Sequence, residues 1–232
     1  MLFVFDMDQV LFEYDWQRRM SVMTELTGLS LTELRDRWWN AAGEGAAEAG
    51  AYPSADSYLA ALCDALGTSV SERDFLRARG GAMTAWPVSL QAVARAASYG
   101  TVTLLTNNGP LVGENLATLA PELVPLFGEA HLFASSDYGA RKPDPVVFER
   151  VLERYGAEPS ETFFADDLPE NVAGAASVGI AAHLFRTPAA LLAAVDAFAH
   201  APAHAPAPAP APARAPAIES GVAGSNRAIS TD

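Results

Sequence analysis

The chain is short of cations, of cysteine and of long apolar runs. Its 232 residues carry 15 Lys+Arg against 28 Asp+Glu, a formal net charge of -13. A surface that tracks nucleic-acid phosphates needs the opposite balance, so DNA and RNA are excluded as partners. The single cysteine, Cys63 in YLAALCDAL, has no partner for an internal disulfide, which suits a reducing cytoplasm. No uninterrupted apolar stretch approaches the roughly 18 residues of a membrane span. The N-terminus lacks the basic flank and cleavage site of a secretory signal. The expectation is a soluble cytoplasmic protein with no membrane partner.

What the chain does have is a core. Half of its residues are hydrophobic (50%), and short apolar runs of strand type alternate with helical patterns, as a parallel sheet with crossover helices requires. The expected strands are Leu2–Met7, Thr101–Asn107, His131–Ser136, Glu161–Asp167 and Ala181–Arg186. The expected helices are Val88–Tyr99, Leu111–Ala120, Pro145–Tyr155, Pro169–Val178 and Pro188–Phe198, several opening at a proline that suits a first helical turn.

Between the first two strands lies a stretch too long for an ordinary connection. Segments such as DWQRRMSVMTELTGL and SERDFLRARGGAMTAW start near Asp or Ser and space their apolar residues as helices do. The fold class is therefore α/β: a Rossmann-like three-layer parallel sheet core with an inserted all-helical cap domain. The core is expected at 1–13 and 87–198 and the cap at 14–86. An Ala/Pro-rich, disordered tail follows at 199–232, where alternating prolines deny both helix and sheet. His200 and His204 read as part of that tail rather than as metal ligands.

The first run, LFVFDMD, delivers Asp6 and Asp8 beyond the end of a strand. In an open parallel sheet, ligands bind beyond the carboxyl ends of the strands. On the same edge fall Thr106 and Asn107 after TVTLL, Asp166 and Asp167 after ETFFA, and Lys142 in RKPDP. A lone Asp in such a place caps a turn; an acid pair, a hydroxyl, a cation and a second acid pair on one edge are not explained by turns alone. Clustered carboxylates repel and imply a cation, and Mg²⁺ suits an oxygen donor set that leaves room for a phosphate. Asp6 is placed to attack phosphorus, Thr106 and Lys142 to neutralise the phosphate oxygens, and Asp8 to exchange protons with the leaving group and water.

The ordered motifs DMD, LLTNN, RKPDP and FFADDLPEN resemble those of the haloacid dehalogenase superfamily, over residues 1 to about 198 apart from the cap. The type is the small helical cap, similar to the sugar-phosphatase and epoxide-hydrolase-phosphatase branches. The resemblance implies Asp6 as nucleophile and Asp8 as general acid/base. It implies Thr106 and Asn107 as phosphate binders, Lys142 as the cation, and Mg²⁺ held by Asp6, the Asp8 backbone carbonyl and Asp167, with Asp166 second to Asp167. Gln9 stands where the family often has Gly, and Glu170 and Asn171 where many relatives carry another Asp.

Asp8 favours a phosphatase over a dehalogenase, because halide departure needs no proton. The expectation is a Mg²⁺-dependent hydrolase of a small phosphomonoester, a sugar phosphate or similar metabolite, through an aspartyl-phosphate. The alternatives are a phosphomutase or dehalogenase on the same scaffold, or a silent binding protein. In the cap, Arg18, Arg19, Trp38 and Trp39 are the residues available to read a leaving group, against a reading of solvated arginines and one buried Trp.

Overall fold

The structure is a computed structural model that describes residues 1–40 and 42–201. Strand β1 (Leu2–Phe5) is buried along its whole length. Gln9 follows in the left-handed region at φ 59, where a non-glycine residue is strained. Its side-chain amide donates to the Tyr14 carbonyl at 2.8 Å, which holds the turn that leads into β2 (Phe12–Tyr14).

A helical insertion follows. Helix α1 (Trp16–Thr27) is capped by Asp15, which accepts from the Arg18 backbone N–H, and ends on Gly28 at φ 71. A Ser30/Glu33 capping box starts α2 (Leu31–Leu34), which runs into a π turn over Arg35–Trp39. Then come α3 (Ala42–Glu48), α4 (Ala55–Leu66) and α5 (Glu72–Gly80). The chain returns through β3 (Met83–Ala85), antiparallel to β2, so the insertion is entered and left through one two-stranded ribbon.

The remainder alternates as α6 (Pro87–Ala97), β4 (Thr101–Leu104), three short helices α7 (Pro110–Gly113), α8 (Leu116–Leu119) and α9 (Val124–Phe127), α10 (Pro145–Tyr155), β5 (Thr162–Asp166), α11 (Pro169–Ser177), β6 (Ala181–Leu184) and α12 (Pro188–Ala199). The sheet is parallel throughout, in the order β4-β1-β5-β6. Strand residues alternate between two cores. Phe3, Phe5, Phe163 and Ala165 face the layer of α6 and α12, whereas Leu2, Val4 and Phe164 pack with Val147, Phe148 and Ala175 of α10 and α11. This is the three-layer arrangement, and burying both faces is why these strands read as continuous apolar runs. No helix among the described residues is long and apolar enough to cross a membrane.

Four expectations need correction. Residues 131–136 do not form a strand: Thr106 and Ala134 make one isolated parallel bridge, after which the Asp137 carboxylate accepts from the Ala134 N–H and turns the chain into a 3₁₀ helix. The helix expected at 111–120 is broken into α7 and α8, because Asn115 folds its side chain back onto the Leu111 carbonyl. The helical reading of the insertion segment SLTELRDRWWNAAGE is interrupted by the π turn over Arg35–Trp39. The last helix runs on to Ala199 and His200 closes it, Nδ1–H donating to the Asp196 carbonyl at 2.7 Å. The Ala/Pro tail, from residue 202, and His204 lie outside the described residues.

Candidate active site

The parallel register aligns Phe5 with Leu104 on one side and Ala165 on the other. The next residue on each strand therefore projects from the same edge, and the Asp6 N–H donates to the Ala165 carbonyl at 3.0 Å. Asp6, Asp166 and Asp167 each bring a carboxylate oxygen within 4.8 Å of the others.

Into this group reaches Lys142, the only lysine in the chain. It is 1% exposed, and its Nζ donates to Asp166 Oδ2 at 2.6 Å and lies 2.8 Å from Asp6 Oδ1. The loop that carries it is held from two sides. The Asn107 side chain donates to the Lys142 carbonyl at 2.9 Å and accepts from the Lys142 N–H at 3.0 Å. On the other side α11 comes so close that a β-carbon on Gly174 would overlap the Pro143 carbonyl, so only glycine permits the approach.

Asp166 is fully engaged by the protein. Its Oδ1 accepts from the Leu168 N–H and from Asn171, and its Oδ2 from Lys142 and Asn171. Asp167 is only half-buried. Burial, with Asp166 beside it, raises its carboxyl above the ordinary range. Burial is also the largest influence on Asp6; Lys142 opposes it, Asp166 and Asp8 add to it, and the Asp6 carboxyl is pushed up to about 8. One lysine among three carboxylates leaves an excess of negative charge in a buried place. The donor set, all oxygen and under-compensated, fits a divalent hard cation.

Thr106 is buried, and its hydroxyl oxygen accepts from the Asn108 amide at 2.9 Å, which leaves the hydroxyl proton to donate elsewhere. Asp8 turns the other way, toward the insertion. Arg79, from the last turn of α5 and wholly buried, donates from Nη2 to Asp8 Oδ1 at 2.8 Å and to Oδ2 at 2.7 Å. The guanidinium lies 4.1 Å over the Tyr14 ring.

Beyond Asp8 a cavity of about 180 Å³ runs under the insertion, walled by Trp16, Arg19, Trp39, Glu44, Glu48 and Asn107 among others. Burial raises the Glu48 carboxyl to about 7 against the opposing pull of Arg141. Of the cap residues singled out from sequence, Arg18 is exposed while Arg19 is buried on the cavity wall. The π turn sends its two tryptophans apart: Trp38 stacks on Tyr52 and donates from Nε1 to Glu44, and Trp39 lines the cavity. A larger open groove of about 930 Å³ beside Leu76 and Leu119 carries no comparable set of acids and hydroxyls.

Sequence reasoning named Asp6, Asp8, Thr106, Lys142, Asp166 and Asp167, and the structure brings all of them to one edge. It named Asn107 as a phosphate binder; the residue lines the cavity, and its side chain holds the Lys142 backbone. It missed Arg79, Asn108 and the grip of Asn171 on Asp166. The solitary lysine was the available signal for how strictly the site depends on that cation.

A parallel sheet that gathers carboxylates and one buried lysine at its carboxyl edge, beneath a helical insertion, marks a hydrolase of the doubly wound α/β class. The chain belongs to the haloacid dehalogenase-like hydrolases, whose family model matches residues 1–179. Over 190 residues it is 30% identical to a phosphatase of Mycobacterium tuberculosis, covering 78% of this chain and 85% of that protein. Among solved structures it is similar to a HAD family enzyme of Bacteroides thetaiotaomicron in a magnesium complex, with TM-score 0.64, 20% identity and coverage of 79% of this chain and 92% of that one. It is also similar to a 2-haloacid dehalogenase of Pseudomonas syringae, with TM-score 0.60, 20% identity and coverage of 79% and 85%. At such identities these two likenesses are likenesses of fold.

Proposed function

We propose that the chain is a Mg²⁺-dependent phosphatase that hydrolyses a small phosphomonoester through an aspartyl-phosphate on Asp6. The observation that carries this reading is the disposition of Asp6 and Asp8, one residue apart beyond the end of β1, toward different neighbours. Asp6 is buried against Lys142, and Asp8 faces the cavity where a leaving group would lie.

A carboxylate oxygen of Asp6 forms a bond to phosphorus as the bond from phosphorus to the ester oxygen breaks, and the departing oxygen takes a proton from Asp8. In the second step a water gives its proton to Asp8 and its oxygen bonds to phosphorus, releasing Asp6 and inorganic phosphate. Lys142 and the Thr106 hydroxyl donate to the phosphoryl oxygens and neutralise the charge that develops there. Asn107, by fixing the Lys142 backbone, and Arg79, by orienting Asp8, are positioning residues. Asp6, Asp167 and the Asp8 backbone carbonyl would hold the cation, with Asp166 kept for Lys142 and Asn171. The cation supplies neutralisation of charge shared between carboxylates and phosphate.

The M. tuberculosis relative named a phosphatase and the magnesium complex of the B. thetaiotaomicron enzyme support this reading. The likeness to a 2-haloacid dehalogenase does not displace it, because Asp8 supplies a proton that halide departure does not need. The cavity of about 180 Å³ favours a compact leaving group. The experiment is release of p-nitrophenol from p-nitrophenyl phosphate with added Mg²⁺ and with EDTA. The reading expects release with Mg²⁺ and none with EDTA. A folded protein that, with Mg²⁺, releases nothing from this ester or from a panel of metabolite phosphates overturns it.

A further inference from the structure

The cap wall of the cavity holds two arginines that are unlike ordinary structural ones. Arg19 on α1 is 4% exposed and Arg79 on α5 is 0% exposed. Among the described residues, Nε and Nη2 of Arg19 have no hydrogen-bond partner, and neither do Nε and Nη1 of Arg79. A buried polar group without a partner is costly, and a charged one more so.

The structural duties of Arg19 are met by its other atoms. Nη1 donates to the Tyr14 hydroxyl at 3.0 Å, and the guanidinium lies 4.8 Å from the Phe75 ring centroid and 5.6 Å from that of Trp39. Nε and Nη2 form one of the two edges of a guanidinium that offer a pair of parallel N–H groups, the fork that matches the two oxygens of a carboxylate. On Arg19 that whole edge is unused. On Arg79 Nη2 is committed to Asp8.

The acids on the same wall do not fill the edge. Glu44 Oε2 accepts from Trp38 Nε1 at 2.6 Å and from the Tyr58 hydroxyl at 2.7 Å. Glu48 Oε2 lies 2.9 Å from Arg141 Nε. The cavity is small, about 180 Å³. That suits a chain of two or three carbons ending in a carboxylate.

We infer that the substrate is a short phosphorylated carboxylic acid, its phosphate at Asp6 and Lys142 and its carboxylate received by the Nε–Nη2 edge of Arg19, with Arg79 alongside. This deepens the phosphatase reading and rests on it for the position of the phosphate.

The test compares 2-phosphoglycolate with 2-hydroxyethyl phosphate, which differ chiefly in carboxylate against alcohol. With Mg²⁺, the wild-type protein is expected to show a kcat/KM about 10- to 100-fold higher for the carboxylate ester, the range that charge-assisted hydrogen bonds supply. In Arg19→Met the ratio should collapse toward one. In Arg19→Lys, which keeps the charge and loses the fork, it should fall between. A merely structural arginine would lower both activities together and leave the ratio unchanged.

Calorimetric binding of the same two esters to the Asp6→Asn protein reads the subsite without turnover. Preference for the carboxylate in binding, with no hydrolysis of any ester by the wild type, overturns the phosphatase reading and leaves the subsite standing. Hydrolysis of both esters at equal efficiency, or a ratio that survives Arg19→Met, overturns the subsite and leaves the phosphatase. Because equal efficiency on the two esters in the wild type is enough to overturn the subsite, a variant that fails to fold does not rescue the inference.

Discussion

Replacing Lys142 by methionine keeps most of the side chain's bulk and removes the charge that joins two buried acids. In the native protein Nζ lies 2.8 Å from Asp6 Oδ1 and 2.6 Å from Asp166 Oδ2, with Asp167 within the same 4.8 Å group. Removing one partner of a buried ion pair costs about 3–5 kcal/mol when the remaining charge stays buried. The acids have an escape, which is to take up a proton, and that escape depends on pH. Burial already pushes Asp6 up to about 8 while Lys142 pulls it down; without the lysine the carboxyl rises further. Between about pH 4, the ordinary carboxyl range, and pH 8 the folded variant then holds a proton that the unfolded chain has lost. Its stability falls as pH rises through that window, as the wild type's does, and goes on falling above pH 8, where the wild type has released the proton. In EDTA the loss relative to wild type should be about 1 kcal/mol at pH 6 and about 3–4 kcal/mol at pH 10. For a chain of this size that gives a melting temperature about 6–16 °C lower at pH 10, measured by circular dichroism. Equal losses at the two pH values would refute the claim that Lys142 acts by balancing charge. Phosphatase activity should be lost at both.

Other perturbations test separate parts of the site. Asp8→Asn should slow hydrolysis of alkyl phosphates by about 10²- to 10⁴-fold, as lost general acid–base catalysis does, in a folded protein; steady-state kinetics check it. Asn171→Ala removes the amide that contacts both oxygens of buried Asp166 at 2.9 and 3.0 Å, and should cost about 1–3 kcal/mol, read as a lower denaturant midpoint. Glu48 is raised from 4.5 to about 7, so the folded state binds its proton more tightly than the unfolded chain and wild-type stability declines as pH rises through that interval. Glu48→Gln should lose that decline, at most about 1.4 kcal/mol per pH unit, and so gain on wild type at pH 8 relative to pH 5 in paired melts.

The strands with Asp6 and Asp166 at their ends were legible because burial on both faces writes them as unbroken apolar runs, and an acid at the end of such a run is conspicuous. Helix α10 was legible from Asp144 and Pro145, a cap followed by a first-turn proline. Arg79 was not. In SERDFLRARGG it sits with Arg73 and Arg77, and only packing reveals that Phe75, Ala78 and Arg79 share the buried face. HLFASS has strand composition, but the Asp137 side chain competes for the backbone and ends the pairing after one bridge. The opposite fates of Trp38 and Trp39 depend on a π turn, which shifts the helical phase in a way that a 3.6-residue period does not anticipate. Asn107 is in the expected place, and the motif did not reveal that its side chain also holds the backbone of Lys142.

The central claim is that Asp6 carries the phosphoryl group during turnover. Mixing enzyme, Mg²⁺ and a rapidly cleaved ester, quenching in acid within one turnover, and reducing with borohydride converts an acyl phosphate on aspartate into homoserine, which mass spectrometry locates in the N-terminal peptide. The account predicts homoserine at position 6 only when substrate is present, and no turnover by Asp6→Asn. Turnover by the wild type with Asp6 unmodified and another residue labelled, or sustained hydrolysis by Asp6→Asn, would contradict it.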